Sequence, residues 1–429
     1  MIALSSRRNL SGRLSVPGSK SHTIRAVLIS MMADGVSMIR NPLPSEDCVS
    51  ATRAAKALGA KIKIEKGLWT VEGNPEGLKT PEDVIDCGNS GTTFYFVTAI
   101  SGTLSDYVVL TGDYQIRRRP VKQLLGAISD LGAFAVTTRS DVDAAPVIVK
   151  GPMKPGRIVF GGKMSQYISG MLLASARLSG TTRIEVEQAI ERPYLQMTVD
   201  WISEHGIEID YDRNNYSFFE VRGPQKYKTV NSTIPSDWES VAFPLVAALV
   251  TDSELIIEDL DISGSQGDAV IVDIMKEMGG DVTLNGDGNY LTARGGNRLK
   301  GISIDCSDIP DALPILSVAA CFAQGDTILT GVESIRVKET DRVEVMKREL
   351  SKMGASIEDR PDRMIIHGGK KLHGRKVESH DDHRVAMSLA VAGLFSDGVT
   401  EVSNAECVSV SFPGFFELMN TVGAGFETI

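Results

Sequence analysis

A phrase recurs six times along the chain: a helical stretch closes on Gly plus a small or apolar residue, and in most copies a strand-like run follows. The copies read ALGAKIKIE, DLGAFAVTT, EHGIEIDYD, EMGGDVTLN, KMGASIEDR and TVGAGFETI. Their glycines are Gly59, Gly132, Gly206, Gly279, Gly354 and Gly423, at intervals of 73, 74, 73, 75 and 69. Gly in that place suits the left-handed residue that ends a helix without Cβ strain. A single Leu-Gly-Ala carries no information, but six at near-constant spacing define a repeat of about 70 residues.

Each repeat holds a second helical segment, at 20–34, 90–101, 165–179, 238–250, 310–324 and 383–396. Stretches such as VAFPLVAALV and ALPILSVAACFA are apolar nearly all round and read as buried helices. Runs such as DYVVLTG and SELIIEDL follow them as strands. The unit is therefore strand–helix–strand–helix–strand–strand, and the fold class is α/β. Six such units exceed one hydrophobic core, so two lobes of three units are expected. We assign 15–233 to the first lobe and 1–14 plus 234–429 to the second, with hinges near 12–18 (GRLSVPG) and 230–237 (VNSTIPSD).

The unusual polar residues gather at the starts of the apolar helices. They are Lys20, Ser21 and Arg25; Asn89, Gly91 and Thr92; Ser165 and Gln166; Asp237; Asp311; and Asp382, His383 and Arg384. Second helices open with Arg119-Pro120, with Arg192-Pro193-Tyr194 and with Lys338-Glu339-Thr340-Asp341-Arg342. Helix N-termini present free N–H groups and positive dipole to a ligand. Lys and Arg there oppose the dipole at a cost of a few tenths of a kcal/mol or more, unless an anion offsets them. Taken singly, Ser, Asp, Asn or Thr at a helix start is an ordinary cap, and Asp237 is read as one. Recurrence at equivalent points of a sixfold repeat, rich in Lys and Arg, points instead to a cleft for a small, multiply anionic molecule.

Other chemistries find little support. The formal net charge of −10 is unlike the basic footprint of a nucleic-acid binder. Pro17-Gly18-Ser19-Lys20-Ser21 resembles a phosphate loop only superficially, and no G-x-G-x-x-G follows a strand. His380-Asp381-Asp382-His383 has metal-ligand residue types but weak spacing. Five scattered cysteines lack C-x-x-C spacing, which argues against disulfides and structural zinc; Cys87, beside a Gly-Asn-Ser-Gly turn, is the one to test for reactivity. The opening MIALSSRRNLSGRL has no apolar h-region and no apolar run reaches ~18 residues, so the cytoplasm is expected.

Eight segments spread over essentially the whole chain carry a resemblance: SVPGSKSHTIRA, CGNSGTT, GDYQIRRRPV, MSQYISGMLLAS, IPDALPILSVAACFAQG, IRVKETDRVEVMKRELSKMGA, DDHRVAMSLAVAGL and SFPGFFELM. Together they resemble the 3-phosphoshikimate 1-carboxyvinyltransferase (EPSP synthase) family, with PGSKS and KETDR the most specific. The resemblance implies an enolpyruvyl transferase fold, two lobes each of three βαβαββ units in pseudo-threefold arrangement. It implies transfer of the carboxyvinyl group of phosphoenolpyruvate to the 5-hydroxyl of shikimate 3-phosphate by addition–elimination, in chorismate and aromatic amino acid biosynthesis. No metal or organic cofactor is implied, the partners are the two small substrates, with no nucleic acid or membrane, and a monomer is the family default.

By the same resemblance, Lys20, Ser21, Arg25, Ser165, Gln166, Arg192, Asp311 and Lys338 bind shikimate 3-phosphate. Lys20, Gly91, Arg119, Gln166, Arg342 and Arg384 bind phosphoenolpyruvate, the guanidinium forks matching carboxylate and phosphate. Asp311 is the expected base, with Lys20 and Glu339 as acid–base partners, and lobe closure would exclude water. Four positions depart from the family pattern. Glu191 and Met164 replace Ser, Tyr95 stands where some members have Arg, and Val410 where some have Lys. Arg192 is expected to bind the phosphate while Glu191 turns away. Two alternatives remain: the related transferase acting on UDP-N-acetylglucosamine, which usually has a loop Cys where this chain has Tyr114 and lacks KETDR, and a non-catalytic anion binder, for which Asp311 and Glu339 serve no purpose.

Overall fold

A computed structural model describes residues 1–74, 76–162 and 164–429. It contains six four-stranded sheets of one pattern, and each has one parallel pair followed by two antiparallel neighbours. In the sheet Arg157–Phe160, Gly180–Val186, Phe218–Gly223, Ile209–Tyr211, the first two strands run parallel and the others antiparallel. Parallel strands need a crossover, and a buried helix supplies it; here that helix is Ser165–Ser175. The six repeat glycines all adopt left-handed φ, between 84° and 105°.

The buried helices follow from their composition. All thirteen residues of Trp238–Val250 and all eleven of His383–Gly393 are buried, as an all-round apolar surface requires. Four buried helices are shorter than the sequence suggests; Ser165–Ser175 and His383–Gly393 end three or four residues early. Lys20–Met32 stops where Ala33 turns extended, and the 310–324 segment opens as a 3-10 turn, Pro310–Ala312, before the helix Leu313–Phe322. Pro310 and Pro314 cannot donate N–H groups to a regular first turn.

The chain divides into two compact bodies, Gly18–Ile234 and Met1–Pro17 with Pro235–Ile429. Each has its own hydrophobic core. Two strands explain the boundaries. Ser11–Ser15 pairs in parallel with Glu254–Glu258, which draws residues 15–17 into the second body, and Asn231–Thr233 pairs in parallel with Val36–Arg40 in the first. Ile2–Ser5 also joins the second body, pairing antiparallel with Thr400–Ser403. Among the described residues no helix is long and apolar enough to cross a membrane.

Candidate active site

In the first body, the starts of two buried helices meet, and side-chain contacts one turn further in tie them to two more helices. Gln166 Nε2 donates to Thr92 Oγ1 at 2.8 Å, joining the starts of Ser165–Ser175 and Gly91–Ser101. Thr198, on the helix Arg192–Glu204, donates to Ser169 Oγ at 2.9 Å and accepts from Arg25 Nε at 2.9 Å. Arg25, on Lys20–Met32, is 3% exposed, donates also to the Ser21 and Tyr194 carbonyls, and lies 5.2 Å from the Phe96 ring centre. No carboxylate among the described residues comes within ion-pair distance of it. Burial draws its pKa down to about 9, partly opposed by Tyr194, so it is still a cation at neutral pH. A buried cation held only by neutral groups is costly, and an anionic ligand would offset that cost.

Lys20 forms an ion pair with Asp47 at 3.2 Å, and both are largely buried. Asp47, in the first turn of Glu46–Ala57, was not among the residues read from sequence. Arg119 is buried, and its guanidinium lies on the Gly91 backbone: a Cβ built on Gly91 would meet Arg119 Nη1 at 2.2 Å. Gly at 91 thus makes room for Arg119, a tighter demand than ligand approach alone. The loop before Arg119 is set by Asp113, whose Oδ1 accepts from the Gln115 and Ile116 amides at 2.9 and 3.0 Å and whose Oδ2 accepts from Asn89 at 2.6 Å. Tyr95 is fully buried and donates to the Pro120 carbonyl, as does Tyr167.

Glu191 does not turn away, contrary to expectation. It is 2% exposed, has φ 53°, and its Oε2 accepts from Ser165 N at 3.2 Å and Ser165 Oγ at 2.7 Å. Met164, the residue at the cap position of that helix, gives no side-chain cap, so the carboxylate supplies it from 26 residues away. Arg192, the next residue, is exposed.

In the second body, Arg342 is 0% exposed and meets three carboxylates: Asp311 at 2.5 Å, Glu339 at 2.7 Å and Asp382 at 2.8 Å. Burial works against its charge, but Asp382, Glu339 and Asp311 together outweigh it and hold its proton more tightly than usual. Arg384 pairs with Glu239 and with Asp311, the latter at 3.1 Å. Both guanidinium contacts to Asp311 fall on Oδ1. Asp382 also caps His383–Gly393 by accepting from the Arg384 amide at 2.9 Å, and Thr340 Oγ1 donates to it at 3.1 Å. Asp237 caps Trp238–Val250 through Ser240, as read from sequence.

The loop carrying Lys338, itself half-buried, is anchored by Arg336, which bonds Asp341 and Asp359. Glu239, in the first turn of Trp238–Val250, is the second carboxylate that sequence reading missed. Val410 is buried and offers no charge. His380 points to Glu349 and Arg348 while Asp382 serves Arg342, so the His380–His383 run shares no center. Among the described residues no group of three or more ligand-type side chains could hold a metal. Cys87 is fully buried, and burial and then Asp86 push its thiol well up, so it is no reactive thiol.

The two groups of residues, each within its own body, differ in charge. In the first body Lys20, Arg25, Arg119 and Arg192 stand with Asp47, Asp113 and Glu191. In the second, Lys338, Arg342 and Arg384 stand with Asp311, Glu339, Asp382 and Glu239. A cation-rich set on helix N-termini suits anion binding, and a carboxylate-rich set suits proton transfer.

Repeated βαβαββ units in two bodies, with charged residues at the buried-helix starts, define an enolpyruvyl transferase fold. A family model described as EPSP synthase (3-phosphoshikimate 1-carboxyvinyltransferase) matches residues 4–419, and the chain belongs to that family. Proteins named 3-phosphoshikimate 1-carboxyvinyltransferase from Ruminiclostridium cellulolyticum and Acetivibrio thermocellus are 41% and 42% identical to it, covering 99% and 97% of both chains. One from Methanocaldococcus jannaschii is 39% identical over 97% of each. A solved EPSP synthase from Acinetobacter baumannii superposes with a TM-score of 0.82 at 29% identity, covering 99% of both chains.

Proposed function

We propose that this chain transfers the enolpyruvyl group of phosphoenolpyruvate to the 5-hydroxyl of shikimate 3-phosphate, releasing phosphate. The supporting observation within the site is Arg25, a buried cation whose partners on the helices Lys20–Met32 and Arg192–Glu204 are all neutral. The family match supplies the substrate pair.

In this reading Lys20, Ser21, Arg25, Ser165, Gln166 and Arg192 hold shikimate 3-phosphate, with Asp311 and Lys338 from the second body. Lys20, Gly91, Arg119, Gln166, Arg342 and Arg384 hold phosphoenolpyruvate. Arg342 and Arg384 already meet carboxylates, so the incoming anion competes with Asp311 for both. An Asp311 relieved of two cations becomes a stronger proton acceptor. It takes the 5-hydroxyl proton as that oxygen bonds to C2 of phosphoenolpyruvate, while a proton adds to C3. The tetrahedral intermediate then loses a C3 proton and the C2–O bond to phosphate breaks, restoring the double bond. Lys20 and Glu339 serve as the acid–base partners.

The same reading places the enzyme in the cytoplasm as a monomer without metal or organic cofactor; sedimentation and activity after exhaustive chelation check the last two. The deciding assay is phosphate release. It should require phosphoenolpyruvate and shikimate 3-phosphate together, and release with UDP-N-acetylglucosamine in place of shikimate 3-phosphate, or none with either acceptor, would reject the reading.

A further inference from the structure

The helix Ser165–Ser175 starts without a side-chain cap from Met164, the residue that precedes it. Its first amide and its first hydroxyl both donate to one oxygen of Glu191, at 3.2 and 2.7 Å. Two charge-assisted bonds at a helix N-terminus are the contacts a phosphate oxygen would make there. Glu191 reaches them through a left-handed backbone, φ 53°, which is uncommon for a side chain of its size, and it does so while 2% exposed. Its placement is therefore over-determined by the surrounding packing rather than a surface accident.

We infer that Glu191 is a specificity-determining residue: its carboxylate occupies the position at Ser165 that the substrate phosphate takes, and binding exchanges one anion for the other. This rests on the reading of Ser165 as a shikimate 3-phosphate ligand. A phosphate and a carboxylate cannot share Ser165 N–H and Oγ without like-charge repulsion. The phosphorylated substrate must therefore displace Glu191, and its affinity is lower than the remaining cations would give. The exchange also keeps the helix start satisfied when no substrate is bound. An acceptor lacking the phosphate leaves Glu191 on Ser165 and meets no such competition, so Glu191 narrows the preference for the phosphorylated acceptor.

The test is titration calorimetry of the full chain with shikimate 3-phosphate and with shikimate. The variants are E191N and E191Q, each alone and combined with S165A. Asn tolerates left-handed φ, so E191N removes charge and reach while keeping the turn. Both variants should bind shikimate 3-phosphate about tenfold more tightly, a gain of the size expected for removing one competing charge at a helix terminus. Shikimate affinity should change less than twofold, and S165A should abolish the gain. Unchanged or weaker shikimate 3-phosphate binding by folded variants, with wild type binding it normally, overturns the inference and leaves the function standing. Failure of the wild type to bind shikimate 3-phosphate overturns the functional reading and this inference with it. Should neither variant fold, a crystal structure of the wild-type complex decides. Glu191 must have left Ser165, and a carboxylate still bonded to it beside bound substrate refutes the exchange.

Discussion

Replacing Arg342 by Met removes the cation that three carboxylates share and puts an apolar side chain of similar length in a fully buried space. Breaking a buried ion pair from one side typically costs about 3–5 kcal/mol, because the other charge remains buried and uncompensated. Here the three partners are not equally exposed to that cost. Asp311 keeps its contact with Arg384, and Glu339 is 9% exposed. Asp382 is 0% exposed and keeps only the Thr340 hydroxyl and the amides at the start of His383–Gly393, contacts worth about 1 kcal/mol as a cap. The expected loss is therefore near the low end, about 3 kcal/mol. For a body of about 200 residues this lowers Tm by roughly 6–12 °C.

Calorimetric unfolding measures the loss, and hydrogen exchange in His383–Gly393 locates it. The decisive comparison is R342M with D382N, which removes the stranded charge yet keeps an oxygen for the cap. It should recover about 1–2 kcal/mol of what R342M loses. A loss below about 1 kcal/mol in R342M, or strict additivity in the double variant, would show that the buried network is not held together as described.

Gly91→Ala should leave the fold intact, since the atom it strikes is the end of a flexible side chain, but it must push Arg119 aside. With Arg119 in its proposed role, KM for phosphoenolpyruvate should rise about tenfold or more, and KM for shikimate 3-phosphate should change far less. All five cysteines are buried, and burial raises Cys306 and Cys321 to about 12, so Ellman's reagent at pH 8 should find no thiol in the native protein and five after unfolding. Hydrogen bonds from Arg157 and then Arg183 draw the half-buried Glu185 from 4.5 down to about 2. A depressed carboxylate stabilises the folded state above its unfolded pKa and loses that effect as pH falls through the folded one. The Tm difference between wild type and E185Q should thus shrink as pH drops from about 4.5 towards 2, and a difference constant across that window would contradict the pairing.

Much of this architecture was legible because the repeat writes itself in residues with one physical use. A glycine that must be left-handed recurs after the less buried helix of each repeat, and a helix apolar all round has nowhere to go but inside. Lys20, Arg25 and Arg342 stood out for a related reason, as cations at helix starts where the dipole disfavours them. Asp47 and Glu239 were missed because an acidic residue in a helix's first turn is its ordinary place. Nothing local distinguishes a carboxylate that complements a dipole from one that also grips a buried cation. The error at Glu191 has the same root: its direction is fixed by a left-handed φ and by a helix start 26 residues earlier, and no window of sequence contains both.

Pairing, rather than residue type, is therefore what the structure adds, and it changes how the site is understood. From sequence, Arg119, Arg342 and Arg384 form one class of phosphoenolpyruvate ligand. In the structure Arg119 rests on the Gly91 backbone, whereas Arg342 and Arg384 are each engaged by carboxylates. An arginine already holding Asp311 does more than attract an anion, because whatever takes the arginine releases Asp311. With Asp311 in its proposed role, anion binding and base activation become one event in the second body. A site built this way keeps its base restrained until the anion to be attacked has arrived.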